Sequence, residues 1–416
     1  MVSGDNLETA IAYAIKAGIL TEEESRNHNA CLTGEEFRKA VGGLVKDQFG
    51  KLILERPQDF KLVIRHLKVV GRAVPYDKHV LATGLKEIGR TVAVTGEGIN
   101  DVDALASADV GFAMGSGVSV AKDVADMILT DDNFEATMNA AMWGRNIYAN
   151  VRKFTQFQLT VNFTTLILVF VGAVLKGTPT LNIVQLLWVN LIMDTFAAVA
   201  LGSEKPHPSI IKNAPFKENE PIITVTMWRQ IYGMTAYITA VMIVLFFFVD
   251  DMWGLTLVNS DPFFIDGVPS DKCVHYTLLF NTFVFMHLFN EINCRKIGAT
   301  QFNVFHNILP NWQFMLVVGS LFAMQIVIVQ YGGVLTGCAP LTADKHAFCV
   351  MIGASVLLVS AILKLTPASW TEKMPLAVDE NKPIDENDPI LKMYNKQANA
   401  KVTVQKKVED EVYHQE

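Results

Sequence analysis

The chain is expected to join a soluble α/β portion, built on a Rossmann-like parallel sheet, to an all-α bundle of six transmembrane helices. Three observations predict this. Hydrophobic residues make up 50% of the 416, and their long runs fall after residue 150. Before that point, short apolar runs bounded by glycine alternate with segments of helical spacing. One carboxylate, Asp194, stands in the middle of a stretch long enough to cross a bilayer. The expected organisation is a soluble portion over 1–150, a membrane portion over 151–365 and a polar tail over 366–416.

The membrane portion follows from charge-free length. Phe154–Leu175 contains no charged residue, and Leu181–Leu201 contains only Asp194. The stretches Gln230–Val249, Cys273–Asn290, Trp312–Tyr331 and His346–Leu363 are free of Asp, Glu, Lys and Arg. Each approaches the ~20 residues that a helix needs to cross the hydrocarbon. The competing reading, buried core helices of a large soluble protein, fits poorly with the asymmetry of the loops. Arg152, Lys153, Lys205, Lys212, Lys217, Arg229, Arg295 and Lys296 flank one set of span ends, and Asp250, Asp251, Asp261, Asp266 and Asp271 the other. The basic side is cytosolic by the positive-inside rule, so both termini are expected there.

Asp194 lies in Leu186-Leu187-Trp188-Val189-Asn190-Leu191-Ile192-Met193-Asp194-Thr195-Phe196. Asn190 is four residues earlier, so on an α-helix the two side chains share a face. A carboxylate and an amide at membrane depth suit a hard cation such as calcium, which takes carboxylate, amide and carbonyl oxygens. Asn162, Thr165, Asn281, His287 and Asn290 are polar residues of other spans, with Glu291 at the end of the fourth. Helix-to-helix hydrogen bonds are the expectation for Asn281, Thr165 and His287. Cys273 and Cys338 fall on the non-cytosolic side, where either a disulfide or two free thiols fits. The five cysteines show no CxxC spacing, and the net charge of −7 argues against a nucleic-acid partner.

In the soluble portion, Arg90-Thr91-Val92-Ala93-Val94-Thr95-Gly96-Glu97-Gly98-Ile99-Asn100-Asp101 predicts a buried strand and a polar glycine turn. Ala108–Gly115 predicts a second strand, and Val120–Leu129 a helix. Glu97, Asn100 and Asp101 then fall at the carboxyl end of a parallel strand, where α/β sheets bind ligands. Carboxylates there can hold Mg²⁺ against a phosphate. Ser3-Gly4-Asp5-Asn6 precedes a helix over Leu7–Ala17 and offers N–H groups and a hydroxyl to phosphate oxygens. Lys78, after Val74-Pro75-Tyr76-Asp77, can neutralise phosphate charge.

Together these segments resemble P-type ATPases, in particular calcium pumps of the plasma-membrane type. Ser3–Asn6 is similar to the family's TGDN, Pro75-Tyr76-Asp77-Lys78-His79 to its P-x-D-K, and Thr95–Asp101 to its TGDGxND. Thr130-Asp131-Asp132-Asn133-Phe134 is similar to its LTDDNF. Phe157-Gln158-Leu159-Thr160-Val161-Asn162 and Leu186–Thr195 are similar to two of its ion-binding spans, and Leu288-Phe289-Asn290-Glu291-Ile292-Asn293 completes the set of matching segments. The resemblance covers roughly residues 1–365. It implies that the soluble portion is part of a haloacid-dehalogenase-like phosphorylation domain. It also implies ATP and Mg²⁺ as cofactors and Ca²⁺ as the transported ion. The residues implied for catalysis are Ser3, Gly4, Asp5, Lys78, Asn100 and Asp101, with Ser3, Gly4, Asp5 and Lys78 on the phosphates. Mg²⁺ falls to Glu97 and Asp101, and Ca²⁺ to Asn162, Asn190 and Asp194.

The chain also departs from the family's pattern. No Asp-Lys-Thr-Gly occurs, so the aspartyl nucleophile is missing, as are the nucleotide-binding and actuator domains and four spans. The resemblance therefore marks the chain as a C-terminal portion that should not hydrolyse ATP alone. A catalytically dead relative that binds calcium or regulates an intact pump is the alternative, and a membrane-tethered phosphatase a more distant one. Glu97 stands where the family has aspartate, Asp103 where it has proline, and Ser3 where it has threonine. The lipid bilayer and calcium are the expected partners. Such pumps often carry a calmodulin-binding tail, but Lys392–Lys407 lacks bulky apolar anchors at helical spacing, so a disordered, solvated tail is expected.

Overall fold

The structure is a computed structural model, and it describes residues 1–177, 179–212, 221–256, 262–265, 268–298, 303–305, 308 and 310–365. The expected disorder of 366–416 and the calmodulin question concern residues outside that set. The chain divides into two compact units, one over Met1–Ala141 and one that begins at Met142.

The first unit runs α1 (Leu7–Lys16), α2 (Glu22–Ser25), β1 (Cys31–Thr33), α3 (Gly34–Val41), β2 (Leu44–Lys46), β3 (Leu52–Leu54), α4 (Pro57–Ile64), β4 (Val69–Gly71), α5 (Pro75–Glu87), β5 (Ala93–Gly96), α6 (Val102–Ser107), β6 (Val110–Met114), α7 (Ser119–Val124) and β7 (Met127–Leu129). Local chemistry sets its helix starts. Asn6 caps α1 by accepting the Leu7 N–H at 3.0 Å, and Ala10 and Ala14, one turn apart, are its buried residues. Thr33 and Glu36 form a reciprocal capping box on α3. Pro75 opens α5, where its missing N–H is no loss.

Two parallel sheets result where one doubly wound sheet was expected. In the first, β4 lies between β1 and the Met1–Ser3 segment: Leu32 pairs with Val70, and Val2 bridges to Val70 from the other side. In the second, β5, β6 and β7 are parallel in that order. Among the described residues no strand joins them, so Met1–Ser3 and β5 each keep one unpaired edge. A second correction concerns Val120–Leu129, expected as a helix. Its helix ends at Val124 and β7 follows, because Asp126 accepts the Gly111 N–H at 2.8 Å and draws Met127–Leu129 onto β6.

The second unit is helical. It holds most of α8 (Glu135–Lys176), then α9 (Ile183–Leu187), a π-helical segment over Trp188–Met193, α10 (Asp194–Gly202) and α11 (Val225–Trp253). After the small antiparallel pair β8 (Phe264–Ile265) and β9 (Val268–Pro269) come α12 (Asp271–Cys294), α13 (Trp312–Tyr331), α14 (Gly333–Thr336) and α15 (Ala343–Leu365). Among the described residues, five helical stretches are long and apolar enough to cross a membrane: Glu135–Leu175, Ile183–Gly202, Val225–Trp253, Trp312–Tyr331 and Ala343–Leu365. Between 28% and 44% of each apolar window is buried within the protein. The rest, including Phe170, Val174, Leu358 and Ile362, faces outward, as in a multi-pass membrane protein whose solvent is lipid.

The remaining expected span falls on α12, which is not among those five. It has 24 residues, and its whole stretch from Tyr276 to Leu288 is buried. Its neighbours α11, α13 and α15 shield it, so its outer surface is protein. That explains how it tolerates His275, Asn281, His287, Asn290 and Glu291. Cys273 and Cys338 are free thiols, which settles the open choice against a disulfide.

Candidate functional site

The membrane helix that carries Asp194 is not uniformly α. Between α9 and α10 the backbone widens into π geometry over Trp188–Met193. In a π turn the hydrogen bond runs to the residue five away, so the i,i+4 stacking of Asn190 over Asp194 is relaxed. Accordingly Asn190 is exposed while Asp194 is 5% exposed. Asn162, on α8, is exposed as well. The expected trio thus divides into one buried carboxylate and two amides on open faces.

Asp194 does have a partner from α8. Gln158 donates its amide N–H to Asp194 Oδ2 at 2.8 Å. Asp194 Oδ1 and Gln158 Oε1 are buried and unpartnered. Two free oxygens therefore flank one hydrogen bond, which is the donor chemistry a hard cation takes. Gln158 was absent from the residues expected at the site. The signal was present, because Gln158 sits four residues before Asn162 on the same helical face.

Glu291 is a second buried carboxylate of the helical unit. It is 0% exposed, and neither of its carboxylate oxygens has a hydrogen-bond partner. His287, one turn earlier on α12, was expected to bond across helices. Instead both ring nitrogens are unpartnered, and the ring packs edge-on against Phe283 at 4.4 Å. Thr165, given the same expectation, has an unpartnered hydroxyl. Asn281 does bond across helices, to Gln325 at 3.2 Å and His346 at 3.3 Å. Among the described residues, no three His, Cys, Asp or Glu side chains cluster tightly enough to hold a metal by themselves. A cation at Asp194 would need amide and backbone oxygens to complete its shell.

At one end of these helices, Glu204 gathers three cations. Its carboxylate meets Lys153 at 2.7 Å, Arg295 at 3.3 Å and Lys296 at 3.7 Å. Asn146 and Asn150 hold its backbone carbonyl at 2.7 and 3.2 Å. Burial opposes the charge of Glu204, but Lys153, Arg295 and Lys296 outweigh it and hold the carboxyl below the ordinary glutamate range. The cluster ties the residues after α10 to α8 and to the end of α12.

In the first unit, the residues expected at a phosphate lie at or beyond the carboxyl ends of the Met1–Ser3 segment, β4 and β5. Ser3 continues the Met1–Ser3 segment beside β4, with its N–H on Val70 O at 2.9 Å. The Ser3 hydroxyl accepts the Asp5 N–H at 3.1 Å and donates to Asp5 Oδ2 at 3.0 Å, folding Ser3-Gly4-Asp5 into a tight turn before α1. Lys78, in the first turn of α5, reaches Asp101 Oδ1 at 2.5 Å. The Glu97 and Gly98 N–H groups both donate to Asp101 Oδ2 at 3.1 Å.

That arrangement assigns different work to the two acidic residues. Burial disfavours the charge of Asp101, yet the Lys78 hydrogen bond, the two backbone donors and the Lys78 charge together hold its carboxyl below the ordinary aspartate range. Three of its roughly four acceptor sites are filled, so it fits an anchor for Lys78 better than a metal ligand. Glu97 and Asn100 are exposed beside it. Glycine is needed here for space. A Cβ on Gly96 would lie 2.5 Å from the Asp101 Cβ, and one on Gly117 would lie 3.0 Å from the Glu97 carbonyl oxygen.

Residues 178–366 match the family model described as cation transporting ATPase, C-terminus. The chain is 42% identical over 375 residues to plasma membrane calcium-transporting ATPase 2 of Oreochromis mossambicus, covering 89% of this chain and 32% of that protein. It is also 42% identical over 375 residues to plasma membrane calcium-transporting ATPase 3 of Homo sapiens, with 89% and 29% covered. For plasma membrane calcium-transporting ATPase 1 of Mus musculus the identity is 41%, again over 89% and 29%. The chain thus spans about a third of the length of these curated relatives.

Proposed function

We propose, for a chain that resembles the C-terminal portion of P-type calcium-transporting ATPases, that it forms the transport half of an ATP-driven calcium pump. The observation that carries this reading is Asp194: a buried carboxylate with a free oxygen, in a π-interrupted helix otherwise apolar enough to span a membrane. A charge buried there costs several kcal/mol, and a cation cargo offsets that cost. Asp194, Asn190 and Asn162 supply oxygens, with Asn162 and Asn190 facing outward toward membrane helices that complete the shell. α12 is the fourth of six spans, and both termini are cytosolic, in the plasma membrane.

The first unit is read as part of a haloacid-dehalogenase-like phosphorylation domain. The unpaired edges of Met1–Ser3 and β5 suit a further parallel strand, supplied by polypeptide outside this chain and bearing the nucleophilic aspartate. In that setting Ser3 and the Gly4 and Asp5 backbone bind phosphoryl oxygens. Lys78, oriented by Asp101, neutralises the charge that develops on the transferred group. Glu97 is the carboxylate with room for Mg²⁺, which when bound neutralises phosphate charge. ATP is the phosphoryl donor, bound largely by groups beyond this chain. A silent relative that regulates an intact pump is the second reading, favoured by glutamate at position 97. ATP-driven uptake of radioactive calcium by inside-out membrane vesicles containing the native polypeptide separates the two. Uptake above that of vesicles lacking it supports the pump; none, with the polypeptide present, supports the silent relative.

A further inference from the structure

A chain of buried hydrogen bonds connects the start of the π segment to three other helices. The Trp188 indole N–H donates to Gln325 Oε1 on α13 at 3.0 Å. The Gln325 amide then donates to Asn281 Oδ1 on α12 at 3.2 Å. With its oxygen so used, Asn281 turns its amide to His346 Nδ1 on α15 at 3.3 Å, which makes that nitrogen the acceptor. Gln325 and Asn281 are both 0% exposed, and Trp188 is 8% exposed. Every donor along this chain of bonds points the same way, from the π segment outward.

We infer that Gln325 and Asn281 are positioning residues for the membrane cation site, acting through the Trp188 indole on the π segment that carries Asn190. The inference rests on the calcium reading of Asp194 and Asn190 given above. Its physical basis is the two-state character of a π turn. The widened turn holds one extra residue and poorer hydrogen bonds than an α-helix, so a tertiary contact must maintain it. Trp188 opens that turn, two residues before Asn190 and six before Asp194. A large indole pinned at both its ring and its N–H fixes the rotation of everything wound after it. In a low-dielectric interior such a hydrogen bond is well defined, and leaving one partner behind is costly.

The test uses calcium-dependent phosphorylation by ATP in membranes holding the whole pump, this chain together with the polypeptide that bears the nucleophilic aspartate, since the chain has no Asp-Lys-Thr-Gly of its own. Gln325→Leu and Trp188→Phe should each raise the half-saturating calcium about tenfold, the worth of one buried hydrogen bond, with the maximal phosphorylation level per inserted protein unchanged. The double variant should be no weaker than either single one, because both break the same link. Trp188→Phe removes part of the buried ring system with the N–H, so Gln325→Met, which keeps the side-chain length and loses only the polar end, reads the link where either variant reduces insertion. An unmoved half-saturation, or shifts that multiply in the double variant, would overturn the inference. Asp194→Ala, measured alongside, separates the two failures. Calcium dependence surviving there rejects the ligand set on which the inference depends. Its loss there, with Gln325→Leu and Trp188→Phe unmoved, rejects the positioning role alone.

Discussion

Gln158 donates to Asp194 across the interface of α8 and α10 at 2.8 Å, while the second oxygen of each side chain stays unpartnered. The pair is half satisfied although both remaining oxygens are buried. A fully structural pair would spend both oxygens; this one presents them. Gln158→Leu should therefore raise the half-saturating calcium of the native polypeptide, by roughly 5- to 30-fold for a loss of 1–2 kcal/mol. A calcium titration of ATP-dependent phosphorylation checks it, and an unchanged midpoint would leave Gln158 as packing.

Glu97 is exposed beside the anchored Asp101, with one methylene more than the aspartate that the resemblance expects. Errors of about 1 Å in a catalytic group can lower rates about 100-fold. Glu97→Asp should increase magnesium-dependent phosphorylation of the native polypeptide. A fall, or no change, in the phosphoenzyme level at saturating magnesium would remove Glu97 from the metal site.

Lys78 and Asp101 make a prediction about acid stability. The carboxyl of Asp101 is held below its ordinary range when folded. Its stabilisation is therefore present above the unfolded value, about 3.9, and disappears as pH falls through the lower folded value. Lys78→Met removes the hydrogen bond and the charge but keeps the burial, so the folded value rises. Acid unfolding of the first unit, followed by circular dichroism of the purified chain, should then begin at higher pH. An unshifted acid transition would mean that the pair contributes nothing to folding.

Glu204 stands among Lys153, Arg295 and Lys296 as the carboxylate that balances them. Glu204→Gln keeps the shape and leaves three neighbouring cations. Removing one partner from a buried charge cluster typically costs about 3–5 kcal/mol. The thermal midpoint of the detergent-solubilised protein should fall by several degrees, and differential scanning fluorimetry reads it. A midpoint within error of the parent would mean that water screens the cluster.

What the sequence made legible was what local rules dictate. The turn Gly96–Asp101 could be read because its glycine spacing answers a local crowding, a Cβ at Gly96 meeting Asp101 at 2.5 Å. Five apolar spans and α1 followed from length, period and the Asn6 cap. Features that depend on distant partners were opaque. Asp126 reaching Gly111 turned an expected helix end into β7, and the sheet divided because strand order is set by nonlocal pairing. The same holds for the Glu204 cluster, whose partners lie 51 and 91 residues away. The π segment has no period of its own that distinguishes it from α. His287 and Thr165 escaped because polarity in a span predicts a partner, and here the side chains have none among the described residues.

The central claim is that Asp194 binds the transported calcium, and a calcium titration of ATP-dependent phosphorylation in Asp194→Ala tests it most directly. Together with the polypeptide that bears the nucleophilic aspartate, the parent chain should form phosphoenzyme only when calcium is present. In Asp194→Ala that calcium-dependent signal should vanish while the protein still inserts at the parental level. Phosphoenzyme that still rises with calcium in Asp194→Ala would contradict the account, since the one buried carboxylate of this helix would then lie outside the cation's shell.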